Sequence, residues 1–181
     1  MQMSESDGRY LFASFWRRVL FISCIIATAV LVDQFVKFLV VEFVMQPPRV
    51  IELAPFFDLV LVFNRGISFG MFSEQIGAFP TLAAWVKTGI VAAIVIWACR
   101  TGSRAERTFL SAMAGGALGN IADRFRNGAV TDYLSIHAGE WAWPAFNLAD
   151  VFVVSGASAF AVWTALMPRR RTAAVGANDG A

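Results

Sequence analysis

Charged and amide side chains recur in this chain at spacings that give them shared helix faces. Asn120 and Asp123 are three residues apart, as are Asn147 and Asp150, and Lys37 follows Asp33 by four. Residues so spaced lie on one side of a helix, one turn apart. A further acid, Asp132, follows an Asn127-Gly128 turn and the β-prone pair Val130-Thr131, so it can fold back toward Asp150 with no cation next to it in sequence. Two close carboxylates cannot both ionise comfortably, so they share a proton and titrate as a unit. The protonated one can polarise a carbonyl and the ionised one can take a proton from water, which is what amide hydrolysis needs.

Asp123, Asp132 and Asp150 compete for two such posts. Asp150 falls in the first turn of an apolar helix after Pro144, where the helix N-terminus favours its anion. Asp123 stands next to Arg124, which is expected to hold it as a permanent anion unsuited to sharing a proton. The dyad expected from the residues is therefore Asp132 with Asp150, and Asp123 is expected to anchor the site. Asp33, Lys37, Asn64, Asn120, Arg124 and Asn147 are expected to hold substrate or orient the acids.

The elements that position these residues are apolar. Of 181 residues, 57% are hydrophobic and 15% charged, against roughly 25% charged in soluble proteins. Such a chain belongs in a bilayer, which excludes a water-soluble nucleic-acid binder and a disordered protein. Four stretches approach the length of a span: about Val19 to Val40, Thr81 to Ala98, Thr108 to Ile121 (extended through Asp123) and Val151 to Met167. Arg9, Arg17 and Arg18, then Arg100, Arg104 and Arg107, then Arg169, Arg170 and Arg171 mark one side, cytoplasmic by the positive-inside rule. Residues of about 42–80 and 124–149 then lie outside. At 1.5 Å per residue, Asp33 stands roughly 22 Å above Arg18, Asp123 roughly 24 Å above Arg107 and Asp150 roughly 28 Å above Arg169. Three spans thus bring carboxylates to one outer level.

The expected fold is all-α and membrane-embedded: a four-transmembrane-helix bundle with a small extracytoplasmic β-sheet between helices 1 and 2. It forms one domain over 1–181, with a cytoplasmic arm over about 1–17, a β region over 50–73 and a disordered tail over 172–181. The apolar run between Arg18 and Cys24 is too short for a signal-peptide core. Val50 to Phe72, with a turn at Arg65-Gly66, reads as short strands that could hold an extended peptide by strand addition, or form an inert loop. Gly115, Gly116 and Gly119 read as close helix contacts. Cys24 and Cys99 read as small apolar fillers, with no metal-ligand spacing around them. Lys87 falls within the second span, snorkelling to headgroups or pairing inside the bundle, and acquires no role. A small ion- or proton-coupled transporter would also place acids and a lysine inside a bundle, but nearer mid-bilayer.

The blocks Asp33-Gln34-x-x-Lys37, Asn64-x-Gly66-x-x-Phe69, Gly115-Gly116-Ala117-x-Gly119-Asn120-x-x-Asp123-Arg124, Gly128-x-Val130-x-Asp132 and Phe146-Asn147-x-Ala149-Asp150 resemble, in order, those of signal peptidase II, the bacterial lipoprotein signal peptidase. Ser68 stands where many members carry Ala, and Tyr133 where Phe is usual. The resemblance implies an intramembrane aspartyl endopeptidase of the bacterial inner membrane, both termini cytoplasmic and its site near the extracytoplasmic face. It would cut prolipoproteins before their diacylglyceryl-modified cysteine. It places the catalytic pair on Asp132 and Asp150 and adds Gly66 and Ala149 to the substrate-binding or supporting residues. It implies neither metal nor organic cofactor, with lipidated precursors and membrane lipids as partners of a monomer.

Overall fold

The computed structural model describes residues 5–66 and 80–167. The expectations placed on Ser68, Phe69, the end of the β region, Arg169 to Arg171 and the tail lie outside the described residues. Within them the chain forms four α-helices and four strands. Helix α1 spans Glu5–Leu39 and continues as a π-helical turn over Val40–Val44. Strands β1 (Ile51–Ala54) and β2 (Phe57–Asn64) follow, then α2 (Pro80–Arg100), α3 (Arg104–Asn127), β3 (Val130–Ala138), β4 (Trp141–Ala142) and α4 (Leu148–Leu166).

Helix α3 is the hub, packed against α1, α2 and α4. Its composition suits that place. Ser111, Ala114, Gly115, Gly116 and Gly119 are all buried, so three neighbours can approach its backbone closely. Gly115 and Gly116 face different partners: a Cβ on Gly115 would stand 2.7 Å from Ala29 Cβ of α1, whereas one on Gly116 would meet the Ala149 carbonyl and Phe152 of α4. The close-contact reading of these glycines thus has two named faces. α3 is also longer than the apolar stretch from Thr108 to Ile121 foretold, because its polar ends are helical too. Ser103 caps its start by accepting from the Glu106 amide at 3.3 Å. Gly128, in the left-handed region at φ 68°, ends it while its N–H donates to the Arg124 carbonyl at 3.0 Å.

Among the described residues, two stretches, Phe12–Val44 and Leu148–Leu166, are long and apolar enough to cross a membrane. Their outward residues are apolar: Leu20, Leu31 and Phe35 on α1, and Val154, Val162 and Leu166 on α4, are largely exposed. An apolar surface of this extent is suited to lipid rather than water. Of the two cysteines read as small apolar fillers, Cys24 shares that outward face and Cys99 packs against Ile22, Ala98 and Leu110. Residues 5–17, within the expected cytoplasmic arm, are the first turns of α1. Arg17 and Arg18 do not interrupt it because arginine is a good helix former.

The sheet is antiparallel in the order β1-β2-β3-β4. It is larger than the expected sheet between helices 1 and 2, since β3 and β4 come from the connection between α3 and α4. Phe63 pairs with Thr131 and Asn64 with Val130, after an irregularity in β2 between Leu59 and Val62. Beneath it Val40, Met45 and Tyr133 form a buried cluster with Val36, Leu59 and Leu148, which seats the sheet on the ends of α1 and α4.

Candidate active site

Asp132 lies near the start of β3, and Asp150 in the first turn of α4. Both belong to the lining of an apolar cavity of about 670 Å³, together with Asn64, Asn120, Arg124, Ile136, Trp141, Trp143, Phe146, Val151 and Val154. Amide side chains tie the two acids together. Asn147 Nδ2 donates to Asp132 Oδ1 at 2.6 Å and to Asn120 Oδ1 at 3.0 Å, while Asn120 Nδ2 donates to Asp150 Oδ1 at 2.8 Å. Asn64 Nδ2 donates to Asp132 Oδ2 at 3.0 Å from the facing strand.

The pair Asn147 and Asp150, read from the sequence as sharing a face, is a capping box. The Asp150 amide donates to Asn147 Oδ1 at 3.1 Å, and the Asn147 amide donates to Asp150 Oδ2 at 3.2 Å. Such reciprocal bonds satisfy two otherwise orphaned backbone donors and fix the acid in the first turn. Asp132 is in a different setting. Burial, with help from the charge of Asp150, pushes it from the ordinary 3.8 up to about 6, against the hydrogen bonds from Asn64 and Asn147 that favour its anion. One carboxylate is thus held in the partial positive field of a helix N-terminus, and the other is driven toward its neutral form.

A second layer holds the backbone that carries them. Lys37 Nζ lies 2.8 Å from Asp33 Oδ2 and 2.9 Å from Asp123 Oδ2, all three side chains buried, and also donates to Asn120 Oδ1 at 3.1 Å. Asp33 Oδ1 accepts the amide of Ala149 at 3.0 Å, and Asp123 Oδ2 accepts the amide of Thr131 at 3.1 Å. Ala149 and Thr131 immediately precede Asp150 and Asp132. Each buried carboxylate therefore grips the peptide next to one of the two cavity acids, and Lys37 joins the grips.

This corrects the reason for setting Asp123 apart. Its cation is Lys37 from α1, not its neighbour Arg124, whose guanidinium turns to the carbonyls of Asn120 and Gly66, each at 3.3 Å. Gly66 contributes through its backbone, its N–H donating to Asn64 Oδ1 at 3.0 Å in the expected turn. Two contributors named in the sequence had been given no role in the site. Gln34 Nε2 donates to Asp123 Oδ1 at 2.8 Å and to the Gly119 carbonyl at 3.2 Å; an amide beside Asp33 within an apolar run was the available signal. The Tyr133 hydroxyl, pushed up to about 12 chiefly by burial and so neutral, accepts the Leu148 amide at 3.2 Å at the start of α4.

Gly119 leaves room for this arrangement, since a Cβ there would stand 2.5 Å from Asp33 Oδ2. Gly119→Ala is expected to push Asp33 off the Ala149 amide, destabilising the fold by about 1–3 kcal/mol and slowing catalysis. A thermal transition in detergent equal to the parent's would show that the Asp33 grip does not depend on the missing Cβ.

Known proteins share this fold and this sequence pattern. Two solved structures of bacterial membrane enzymes superpose with TM-scores of 0.69 and 0.67, covering 86% and 82% of this chain and 94% of each of theirs. At 23% and 24% identity that likeness speaks for the fold alone. Lipoprotein signal peptidases from Azoarcus sp. (strain BH72) and Methylobacterium sp. (strain 4-46) are 44% and 40% identical, over 73% and 69% of this chain and 76% of each of theirs. That of Methylorubrum extorquens (strain PA1) is 44% identical over 58% of this chain, a match spanning 61% of that protein's length. The family described as Signal peptidase (SPase) II matches residues 25–166, which contain the whole of the site drawn above. With most of its length matched in this way, the chain belongs to the signal peptidase II family.

Proposed function

We propose that this chain removes the signal peptide from lipid-modified prolipoproteins as an aspartyl endopeptidase, with Asp132 and Asp150 as its catalytic pair. Prolipoprotein processing is the function that the family and its relatives support. The observation that carries the aspartyl chemistry is the placement of two carboxylates, linked by Asn120 and Asn147, in one apolar cavity.

In the proposed step, ionised Asp150 takes a proton from a water whose oxygen attacks the scissile carbonyl carbon, while protonated Asp132 donates a hydrogen bond to the carbonyl oxygen. The proton held by Asp150 then passes to the leaving nitrogen as the C–N bond breaks. The products are a signal peptide ending in a carboxylate and a lipidated cysteine with a free amino group. Asn64, Asn120 and Asn147 orient the acids, and Asp33, Lys37 and Asp123 fix the backbone beneath them. Arg124, donating to the Gly66 carbonyl, shapes one edge of the cavity, and the aromatic wall of Trp141, Trp143 and Phe146 suits an apolar substrate lying in the leaflet. The four helices cross the inner membrane of a bacterium as a monomeric single domain, with the sheet and the acids at the extracytoplasmic side. A transporter would need polar groups at mid-bilayer, whereas these acids gather where the sheet meets the helix ends.

The test is cleavage of a diacylglyceryl precursor peptide by the purified chain in detergent, without added metal or cofactor; an intact peptide would overturn the reading. The orientation has its own check. Single cysteines at Trp141 and Gly102, both exposed positions, are introduced into a chain lacking Cys24 and Cys99. An impermeant thiol reagent on intact cells is expected to label position 141 and spare 102, and the reverse pattern would invert the topology.

A further inference from the structure

The sequence gives the arginines around the start of α3 no role beyond marking one side of the membrane. The structure gives three of them a common place. Ile22 of α1, Ala98 of α2 and Leu110 of α3 form one buried cluster. Arg18 precedes Ile22 by four residues and Arg107 precedes Leu110 by three, so both leave their helices one turn below that cluster, on the faces that meet. Arg104, one turn before Arg107, lies with its Cζ 5.2 Å from the centre of the Phe21 ring of α1. Arg18, Arg104 and Arg107 thus gather where α1 meets the first turn of α3, roughly 24 Å along that helix from Asp123.

An arginine that only marks a side extends into the surroundings, and Arg107 does not. It is 8% exposed. Its Nη2 donates back to the Thr101 carbonyl at 2.9 Å, in the turn that enters α3, which directs the guanidinium to the helix start. There its buried Nε–H has no acceptor among the described residues, and a buried donor left unanswered is costly. The same turn holds further donors. Ser103 takes the Glu106 amide at 3.3 Å, whereas the amides of Arg104 and Ala105 have no partner within the helix. Positive charge is in excess as well. Glu106, the one acid between Arg100 and Arg107, is buried and accepts the Thr101 hydroxyl. Among the described residues Arg18, Arg104 and Arg107 form no ion pair.

Three guanidiniums and a helix N-terminus together suit an anion with several acceptor oxygens. Its source follows from position. The patch lies at the end of lipid-facing helices, and within two turns of Arg18 the half-exposed Trp16 makes edge contacts with Phe12 and Phe15. Exposed aromatic residues of this kind settle at a membrane–water boundary, and basic pockets between helix ends at that level bind lipid headgroups. We infer that this patch binds the phosphodiester headgroup of an anionic phospholipid, with Arg18 and Arg104 at its exposed edge and Arg107 at its buried one. The inference needs α3 to start at headgroup level, but neither the aspartyl chemistry nor the choice of membrane side.

The experiment follows the thermal transition of the full chain in an uncharged detergent as phosphatidylglycerol is added, with phosphatidylcholine and inorganic phosphate as separate arms. The chains compared are the parent, an Arg18→Gln/Arg104→Gln double variant, and Arg126→Gln, which removes an exposed arginine from the far end of α3. Phosphatidylglycerol is expected to raise the parent's transition to a plateau, and the other two additives to leave it in place. The double variant loses two exposed side chains. It should bind phosphatidylglycerol about thirtyfold more weakly, about fivefold for each arginine lost, while Arg126→Gln binds as the parent does. If the double variant does not fold, Arg104→Gln alone carries the test with its fivefold loss. Equal stabilisation by phosphatidylcholine would mean apolar cover without headgroup recognition, and equal stabilisation by inorganic phosphate a free-anion site. A patch variant with the parent's affinity, or Arg126→Gln weakened as much, would reduce the effect to general surface charge. Each of these results overturns the inference, and since none involves cleavage, the aspartyl reading stands or falls separately.

Discussion

Asp132→Asn and Asp150→Asn are each expected to reduce cleavage of a diacylglyceryl precursor by at least about 10²–10⁴-fold, the scale of losing a positioned general acid or base. Asn preserves size but neither gains nor gives up a proton. At position 132 both carboxylate oxygens accept from amides, Asn64 at one and Asn147 at the other. An amide there turns one donor against a donor and costs about 1 kcal/mol, far less than the expected loss of rate. The contrast is Asp123→Asn, which disturbs the contact with Lys37 but removes no reacting group, so it should retain measurable turnover. A well-folded Asp132→Asn chain that still cleaves at a substantial rate would promote Asp123 in its place. The parent's pH profile adds a second reading. Asp132, with its pKa near 6, keeps its proton where an ordinary Asp is ionised. As pH rises through that value both acids become charged, and kcat/KM of the free enzyme should fall about tenfold per unit on an alkaline limb. A profile flat from pH 5 to 8 would remove Asp132 from the proton-donating role.

The parts of this site that were legible in the sequence are those a helix dictates by itself. Three- and four-residue spacings bring side chains to one face in any helix. Asn147 with Asp150 and Asp33 with Lys37 are accordingly in contact. What depends on distant pairing was less visible. Val130 and Thr131 were recognisable as β-prone, but the four-stranded sheet exists only because Phe63 and Asn64 find them across an intervening pair of helices. The error over Asp123 has the same origin in reverse: adjacency along the chain was taken for proximity. Neighbouring residues on a helix diverge by roughly 100°, so Asp123 faces Lys37 on α1 while Arg124 reaches Gly66. Gln34, although part of the first block, received no role because a neutral amide carries no charge to stand out in an apolar run; it makes three hydrogen bonds where α1 meets α3.

Lys37→Met should have the largest effect on stability, because Lys37 is the joint between the two grips on the catalytic strand and helix. Lys37 is 4% exposed, and its ammonium sits between Asp33 and Asp123, themselves 0% and 2% exposed. Methionine fills much the same space with no charge and no donors. Two buried carboxylates then lose their shared cation, and breaking a buried pair in this way costs about 3–5 kcal/mol. The consequence extends beyond the fold. Asp33 holds the Ala149 amide and Asp123 the Thr131 amide, so carboxylates released from Lys37 no longer place the peptides that precede Asp150 and Asp132. A shift of under an ångström in either acid disturbs the geometry that amide hydrolysis needs. Lys37→Met is therefore expected to lower the thermal transition in detergent and to slow cleavage together. A Lys37→Met chain that unfolds with the parent would mean that Gln34 and the backbone amides suffice to hold the two acids. One that unfolds early yet cleaves at the parent rate would separate the grips from the chemistry.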